Sequence, residues 1–157
     1  YIVTLREELM NVDDYIYIQK FRFEDKLDFV KDFPEEALAQ EVPKLILQPL
    51  VENAMIHGIE KKKTAGTVSL IGRLTEHCLI ITLRDDGAGL DAEHRESLRR
   101  MLLLPETDPP AGHNSIGLTN VGQRLRLMYG EEAGLSIDSQ AGMGTTLTIT
   151  IPHSLSL

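Results

Sequence analysis

The sequence predicts an α/β (α+β) domain, and three observations carry that prediction. Apolar residues recur with a helical period over 5–23, 91–104 and 116–129. Two pairs of short β-branched runs, 67–74 with 78–84 and 135–139 with 145–151, are each joined by a few turn residues. Glycine and proline clusters punctuate the chain between these segments.

In the first segment Leu5, Leu9, Val12, Tyr15, Ile16, Ile18 and Phe23 stand among charges, a helix with one face to bury. Residues 26–33 then place Leu27, Phe29 and Val30 among charges and stop at Pro34, which suits a strand of roughly five to seven residues. Pro43 fits a helix first turn, where its missing N–H costs nothing, and opens a segment running through His57 to a stop at Gly58. Pro49 lies inside that segment and kinks it or delays its start. The runs 67–74 and 78–84 flank Thr75-Glu76-His77 and form a hairpin, and Asp91 is the N-cap of the next helix. Between Pro105 and Ser115 the breakers Pro105, Pro109, Pro110 and Gly112 leave no period, and this stretch is expected to be a mobile cover. Ile116 to Tyr129 forms a helix closed by Gly130, and the last two strands surround Gly142-Met143-Gly144.

At 157 residues the chain fits one domain with a single core. A net charge of −8 argues against a nucleic-acid surface, whose affinity comes from neutralising phosphates. A polyphosphate can still bind where backbone N–H groups, a helix start, an arginine and a divalent cation supply a local positive field. Cys78 is the only cysteine, which excludes an intramolecular disulfide and is consistent with a reducing compartment. No apolar run approaches the roughly 18 residues of a membrane span. The start at Tyr1 suggests a piece of a longer polypeptide.

Chemistry concentrates in four places. Asp85-Asp86-Gly87-Ala88-Gly89 follows the apolar run 79–83, so a carboxylate and two glycines stand where a buried strand ends. An ionised Asp85 accepts hydrogen bonds only, as the exocyclic amine of a base requires, and Gly87 and Gly89 let backbone approach a flat ring. An ordinary Asp-Gly turn has the same local pattern. Asn53 and His57, four apart, share a helix face with Gln48 and Glu52 one step around. The Asn53 carbonyl suits Mg²⁺; His57 either contacts a nucleotide or caps the helix end before Gly58. Ile116-Gly117-Leu118 opens a helix whose free N–H groups can receive phosphate, and Arg124 either reaches phosphate or pairs with an acid. Thr145 follows the last glycine turn, and Lys61-Lys62-Lys63 is expected to be a solvated turn.

Taken in order, Glu52-Asn53 with His57, Asp85-x-Gly87-x-Gly89, Ile116-Gly117-Leu118 and Gly142-x-Gly144-Thr145 resemble the nucleotide boxes of the GHKL ATP-binding family of gyrase, Hsp90, MutL and histidine kinases. Residues 47–58 beside 116–125 are similar to LytS/YehU-type sensor histidine kinases, and the likeness extends upstream through Glu7-Glu8-Leu9 and residues 15–23. The resemblance implies a two-layer sandwich of the Bergerat type with a mixed, mainly antiparallel sheet. Residues 1–23 would then be a remnant of the dimerisation and phosphoacceptor helices, and 24–157 the catalytic domain. ATP and Mg²⁺ are its implied ligands. Asn53 would hold the metal, Asp85 would take the adenine amine and Thr145 would line the adenine end, while Glu52 either positions a water of the magnesium shell, acts in phosphoryl transfer or is an ordinary solvated helix glutamate. The implied partners are an upstream histidine-bearing helical domain, a response-regulator receiver domain and a second subunit in the full-length protein, in the cytoplasm.

Ile56 stands where many relatives carry lysine, and Ser115 where glycine precedes Ile-Gly-Leu, two departures that weaken phosphate binding. Pro49 occupies the position of the hydrolytic glutamate of the ATPase branch, which favours kinase over hydrolase. The alternatives are a degenerate interaction module of the same fold and a serine/threonine kinase of the anti-sigma-factor type.

Overall fold

Thr4 ends a short strand, β1 (Ile2–Thr4), and opens α1 (Leu5–Phe23). Its hydroxyl accepts the Glu7 N–H at 3.3 Å while the Glu7 carboxylate accepts the Thr4 N–H at 2.9 Å, a reciprocal capping box. Thr4→Ala is expected to lower stability by about 1 kcal/mol, measured by urea denaturation. The computed structural model describes residues 1–103 and 116–153. Leu5, Leu9, Val12 and Ile16 put the inner face of α1 into the hydrophobic core of the whole domain. Ile18 points outward instead, with Met10, Tyr17 and Phe21.

Strands β2 (Leu27–Asp32), β4 (Gly66–Leu74), β5 (Cys78–Asp85), β6 (Gly134–Gln140) and β7 (Gly144–Pro152) form one sheet in the order β2-β4-β5-β7-β6. Among the described residues only β2 and β4 run parallel; β4–β5 and β6–β7 are the two hairpins expected from the sequence, and β5 pairs antiparallel with β7. Alternate residues Val68, Leu70, Ile81, Leu83, Leu147 and Ile149 turn one face of the sheet into the core beneath the helices, giving two layers.

The segment after Pro34 departs from expectation. Pro43 ends a short strand, β3 (Glu41–Pro43), paired antiparallel with β1, and does not open a helix. The helix starts later, as α2 (Gln48–Asn53), with Pro49 in its first turn where the missing donor is harmless. It also runs past Gly58: residues Ala54–Ile59 wind as a π-helix, closed by Glu60 N–H to the Met55 carbonyl at 2.8 Å.

Asp91 caps α3 (Ala92–Leu103) as expected, its carboxylate accepting the His94 N–H at 2.8 Å. Arg95 and Arg99 tie α3 to β6 through the carbonyls of Ser139 and Ile137. Helix α4 (Ile116–Tyr129) stops at Gly130, whose φ of 86° is left-handed. Arg126 donates to the carbonyls of Leu102 and Leu103, so α4 closes the C-terminal end of α3. The expected cover over 105–115, with Ser115, lies outside the described residues.

Candidate functional site

Asp85 is the last residue of β5, a strand flanked on both sides, and it pairs across with Thr145 on β7. It is only 3% exposed. Gly87 N–H donates to Asp85 Oδ1 at 2.9 Å. Burial pushes the carboxyl up to about 6, and Asp86 adds to this, while the Gly87 and Thr145 N–H groups and Lys62 pull the other way.

Gly58 explains how so much backbone reaches this carboxylate. A Cβ there would lie 2.5 Å from Asp85 Oδ1, and a Cβ on Gly87 would lie 2.3 Å from the Gly58 Cα. The glycine expected to stop the helix is instead a spacer inside its π-helical end, where such windings often mark functional sites.

The loop after β5 is stitched to the β6–β7 turn. Gly142 N–H donates to the Ala88 carbonyl at 2.7 Å. The buried Ser139 hydroxyl accepts the Leu90 N–H at 2.8 Å, donates to the Gly144 carbonyl at 3.0 Å and lies 2.8 Å from the Thr145 hydroxyl. Thr145 therefore sits beside Asp85, with its hydroxyl engaged by Ser139. Gly89 and Gly144 take left-handed φ values of 67° and 100° against the backbone of Gln140 and Asp85.

Along the helix, Gln48 Nε2 donates to Glu52 Oε1 at 3.0 Å, and Glu52, Asn53 and His57 are half-buried. His57 lies within the winding and cannot cap a helix end at Gly58. Burial, and then Lys61, hold its imidazole below the ordinary range, so it is neutral at neutral pH. Lys62 is not simply solvated: its ammonium lies 3.3 Å from Asp86.

At the other end of the helix the start of α4 approaches Pro49, 3.4 Å from where a Gly117 Cβ would stand. Leu118 packs into the core, and Ile116 opens α4. Among the described residues Arg124 pairs with no acid; it donates to the carbonyls of Lys44 at 2.5 Å and Leu45 at 3.4 Å. Asp85, Gly87, Gly89, His57 and Thr145 thus gather around the far end of α2 and its π-helical extension, and Gly117 and Arg124 stand near its beginning. Sequence reasoning missed Gly58 and Ser139. A glycine inside an otherwise unbroken helical stretch was the available signal for the first; Ser139, an ordinary strand residue, offered none.

Comparison with known proteins bears on the family and the fold. Residues 39–155 match the family described as histidine kinase-, DNA gyrase B-, and HSP90-like ATPase. The sensor histidine kinase YesM of Bacillus subtilis is 37% identical over 151 residues, 96% of this chain and 24% of that protein. YpdA, a sensor histidine kinase of Escherichia coli, is also 37% identical, over 96% of this chain and 25% of its own length. The chain thus spans about a quarter of the length of these relatives. Among solved structures, the nucleotide-free catalytic domain of histidine kinase ThkA superposes with a TM-score of 0.69 at 15% identity, covering 99% of this chain and 98% of that one. The histidine kinase domain of a blue-light activated kinase of Erythrobacter litoralis gives 0.64 at 19% identity, over 96% of this chain and 62% of its own. With its two-layer mixed sheet and its matched residues, the chain belongs to the histidine kinase-, DNA gyrase B-, and HSP90-like ATPase family.

Proposed function

We propose that this chain is the ATP-binding catalytic unit of a two-component sensor histidine kinase. The single observation that carries this reading is the buried Asp85 carboxylate at a strand end, with the backbone of Gly58 and Gly87 packed against it and Gly144 against its own main chain. A base amine offered to that carboxylate would meet an acceptor already stripped of water, and no Cβ from Gly58 or Gly87 would bar the ring.

From Gly58 to Pro49 is nine residues, about 13 Å at the α-helical rise, enough to lay a mononucleotide along the helix from Asp85 toward Gly117. Asn53 lies between the two ends. Among the described residues no cluster of three His, Cys, Asp or Glu could cage a metal. That suits Mg²⁺, which takes one or two protein oxygens and fills its shell with phosphates and water. Bound there, Mg²⁺ would neutralise charge developing on the phosphates. Asn53 would hold it, Gln48 steadies Glu52 for its part in phosphoryl transfer, and neutral His57 would add no charge of its own beside the nucleotide.

In the reaction, a bond between the γ-phosphorus and its bridging oxygen breaks, a phosphorus–nitrogen bond forms on a histidine outside this chain, and ADP leaves. The phosphoryl group would then pass to an aspartate of a response regulator. The related-fold kinase ThkA has been crystallised with the response regulator TrrA, which supports such a partner. Dimerisation, magnesium use and a cytoplasmic location belong to the same reading. No helix among the described residues is long and apolar enough to cross a membrane.

Calorimetric titration of ATP with Mg²⁺, repeated with chelator, tests the proposal. Saturable, magnesium-dependent binding is expected, accompanied by a raised melting temperature, since a ligand at a hundred times its dissociation constant adds about 2.7 kcal/mol. No heat together with an unshifted melt would instead favour a degenerate interaction module, a reading to which the exposed Ile56 side chain beside His57 lends weight.

A further inference from the structure

Glu8 lies on the inner face of α1 at 1% exposure, and among the described residues no cation pairs with it. Three backbone donors hold it instead: the N–H groups of Leu45 at 2.6 Å, Ile46 at 3.1 Å and Leu47 at 3.3 Å. These peptides form the entry to α2. Leu45 has a φ of 61°, a left-handed conformation unfavourable for a residue with a Cβ. From the opposite side Arg124 of α4 grips the carbonyls of Lys44 and Leu45. One short loop is therefore held by its N–H groups from α1 and by its carbonyls from α4.

The contact continues along the helix. Tyr15 lies near Glu52, whose charge, after burial, helps hold the phenol above its ordinary range, and Arg22 pairs with Glu60. Glu8, Tyr15 and Arg22 are spaced by seven; Glu8 bonds residues 45–47, Arg22 pairs with Glu60, and Tyr15 between them feels the charge of Glu52, an ascending order. Helix α1 thus runs parallel to α2 and its extension, two helical turns per contact.

We propose that Glu8 is a positioning residue for the nucleotide site: by holding the loop 44–47 in its left-handed form it fixes where Glu52 and Asn53 stand, so the set of α1 against the domain governs the metal end of the site. This rests on the nucleotide-binding reading above. A glutamine at position 8 can accept with its oxygen, but its amide N–H₂ faces backbone donors and leaves some of them unmet. Leu45 is then free to relax to negative φ and move Asn53, while Asp85, rooted in a central strand, stays.

The experiment titrates ATP, with Mg²⁺ and with chelator, into the wild-type chain, Glu8→Gln and Glu8→Gln/Leu45→Gly, and records their melts. The gain in affinity given by Mg²⁺ is expected to fall about tenfold in Glu8→Gln, with chelator affinity kept within about twofold. Leu45→Gly is expected to recover several-fold of that loss, because glycine takes the left-handed conformation without help. If Glu8→Gln does not fold, Glu8→Asp, which keeps the charge but withdraws it by one methylene, is expected to lower the magnesium gain about threefold. A magnesium gain unchanged in the variants, or affinity lost equally with and without the metal, overturns the proposal while the nucleotide site stands. A wild-type chain that binds no nucleotide overturns both.

Discussion

Replacing Asp85 by asparagine lowers ATP affinity about thirtyfold, the roughly 2 kcal/mol of a buried charged hydrogen bond, without lowering the melting temperature at neutral pH. The two halves of this expectation have one cause. Burial raises the carboxyl from 3.8 to about 6, so the folded chain holds a carboxylate that its surroundings disfavour. Asparagine keeps an oxygen for the Gly87 N–H, and removing the charge that burial disfavours offsets the weaker support lost from the Thr145 N–H, but it cannot serve the base amine as a carboxylate does. The pH dependence follows with opposite signs for the two properties. Because the folded value lies above the unfolded one, the stabilisation due to protonated Asp85 is fully present below about 3.8 and is lost as pH rises through about 6. Nucleotide affinity, which needs the ionised form, rises through the same window. Titrations and melts from pH 5 to 8 (about one unit below to two above the midpoint), run on wild type and Asp85→Asn, separate these trends. Equal ATP affinity in the two proteins would end the assignment of Asp85 to the base.

Gly89→Ala is expected to cost about 3 kcal/mol, against about 1–2 kcal/mol for Gly142→Ala, although both glycines have positive φ. At Gly142, with φ of 79°, an added Cβ meets nothing within 4 Å, and only the left-handed conformation is penalised. At Gly89 the same atom would stand 1.9 Å from the Gln140 carbonyl oxygen and 2.8 Å from its carbon, both backbone atoms of β6 that no side-chain rotation can move aside. Relief requires separating the loop after β5 from the strand start that carries Gly144 and Thr145, so Gly89→Ala is also expected to loosen the proposed nucleotide end of the site. Urea denaturation of the two variants measures the difference. Equal losses would mean that conformation alone, and not the contact with Gln140, makes glycine necessary at position 89.

What the sequence made legible was largely local. The capped helix at Asp91, the stop at Gly130, the hairpin through Thr75 and the alternation that buries Leu79, Ile81 and Leu83 each depend on neighbours a few positions away. The association of Asp85 with Thr145 was legible only through the resemblance of the motifs. Readings failed where the partner was distant. Pro43 obeys the same local rules at a strand end as at a helix start, and only its pairing with Ile2 decides. Gly58 looks like a helix terminator until Asp85 occupies the space its missing Cβ leaves. Arg124 offered phosphate or an acid as partners, yet it serves two carbonyls about 80 residues earlier in the chain. Glu8, in a run of surface-like charges, gives no hint that residues 45–47 will come to it.

The sheet order has a kinetic corollary. β4 with β5 and β6 with β7 are hairpins closed by a few residues, whereas joining them brings Asp85 beside Thr145, 60 positions away (145 − 85). That junction carries the larger loop-closure entropy and forms after the local pairs. The proposed nucleotide site straddles it, since Asp85 and the Gly87–Gly89 loop come from one hairpin and Gly144 and Thr145 from the other. A bound nucleotide would therefore staple the last-formed seam of the sheet. Its protection against amide exchange should be felt most along β5 and β7 and least in the outer strand β2, so that occupancy of the site is written into the opening rate of the sheet as much as into its equilibrium stability.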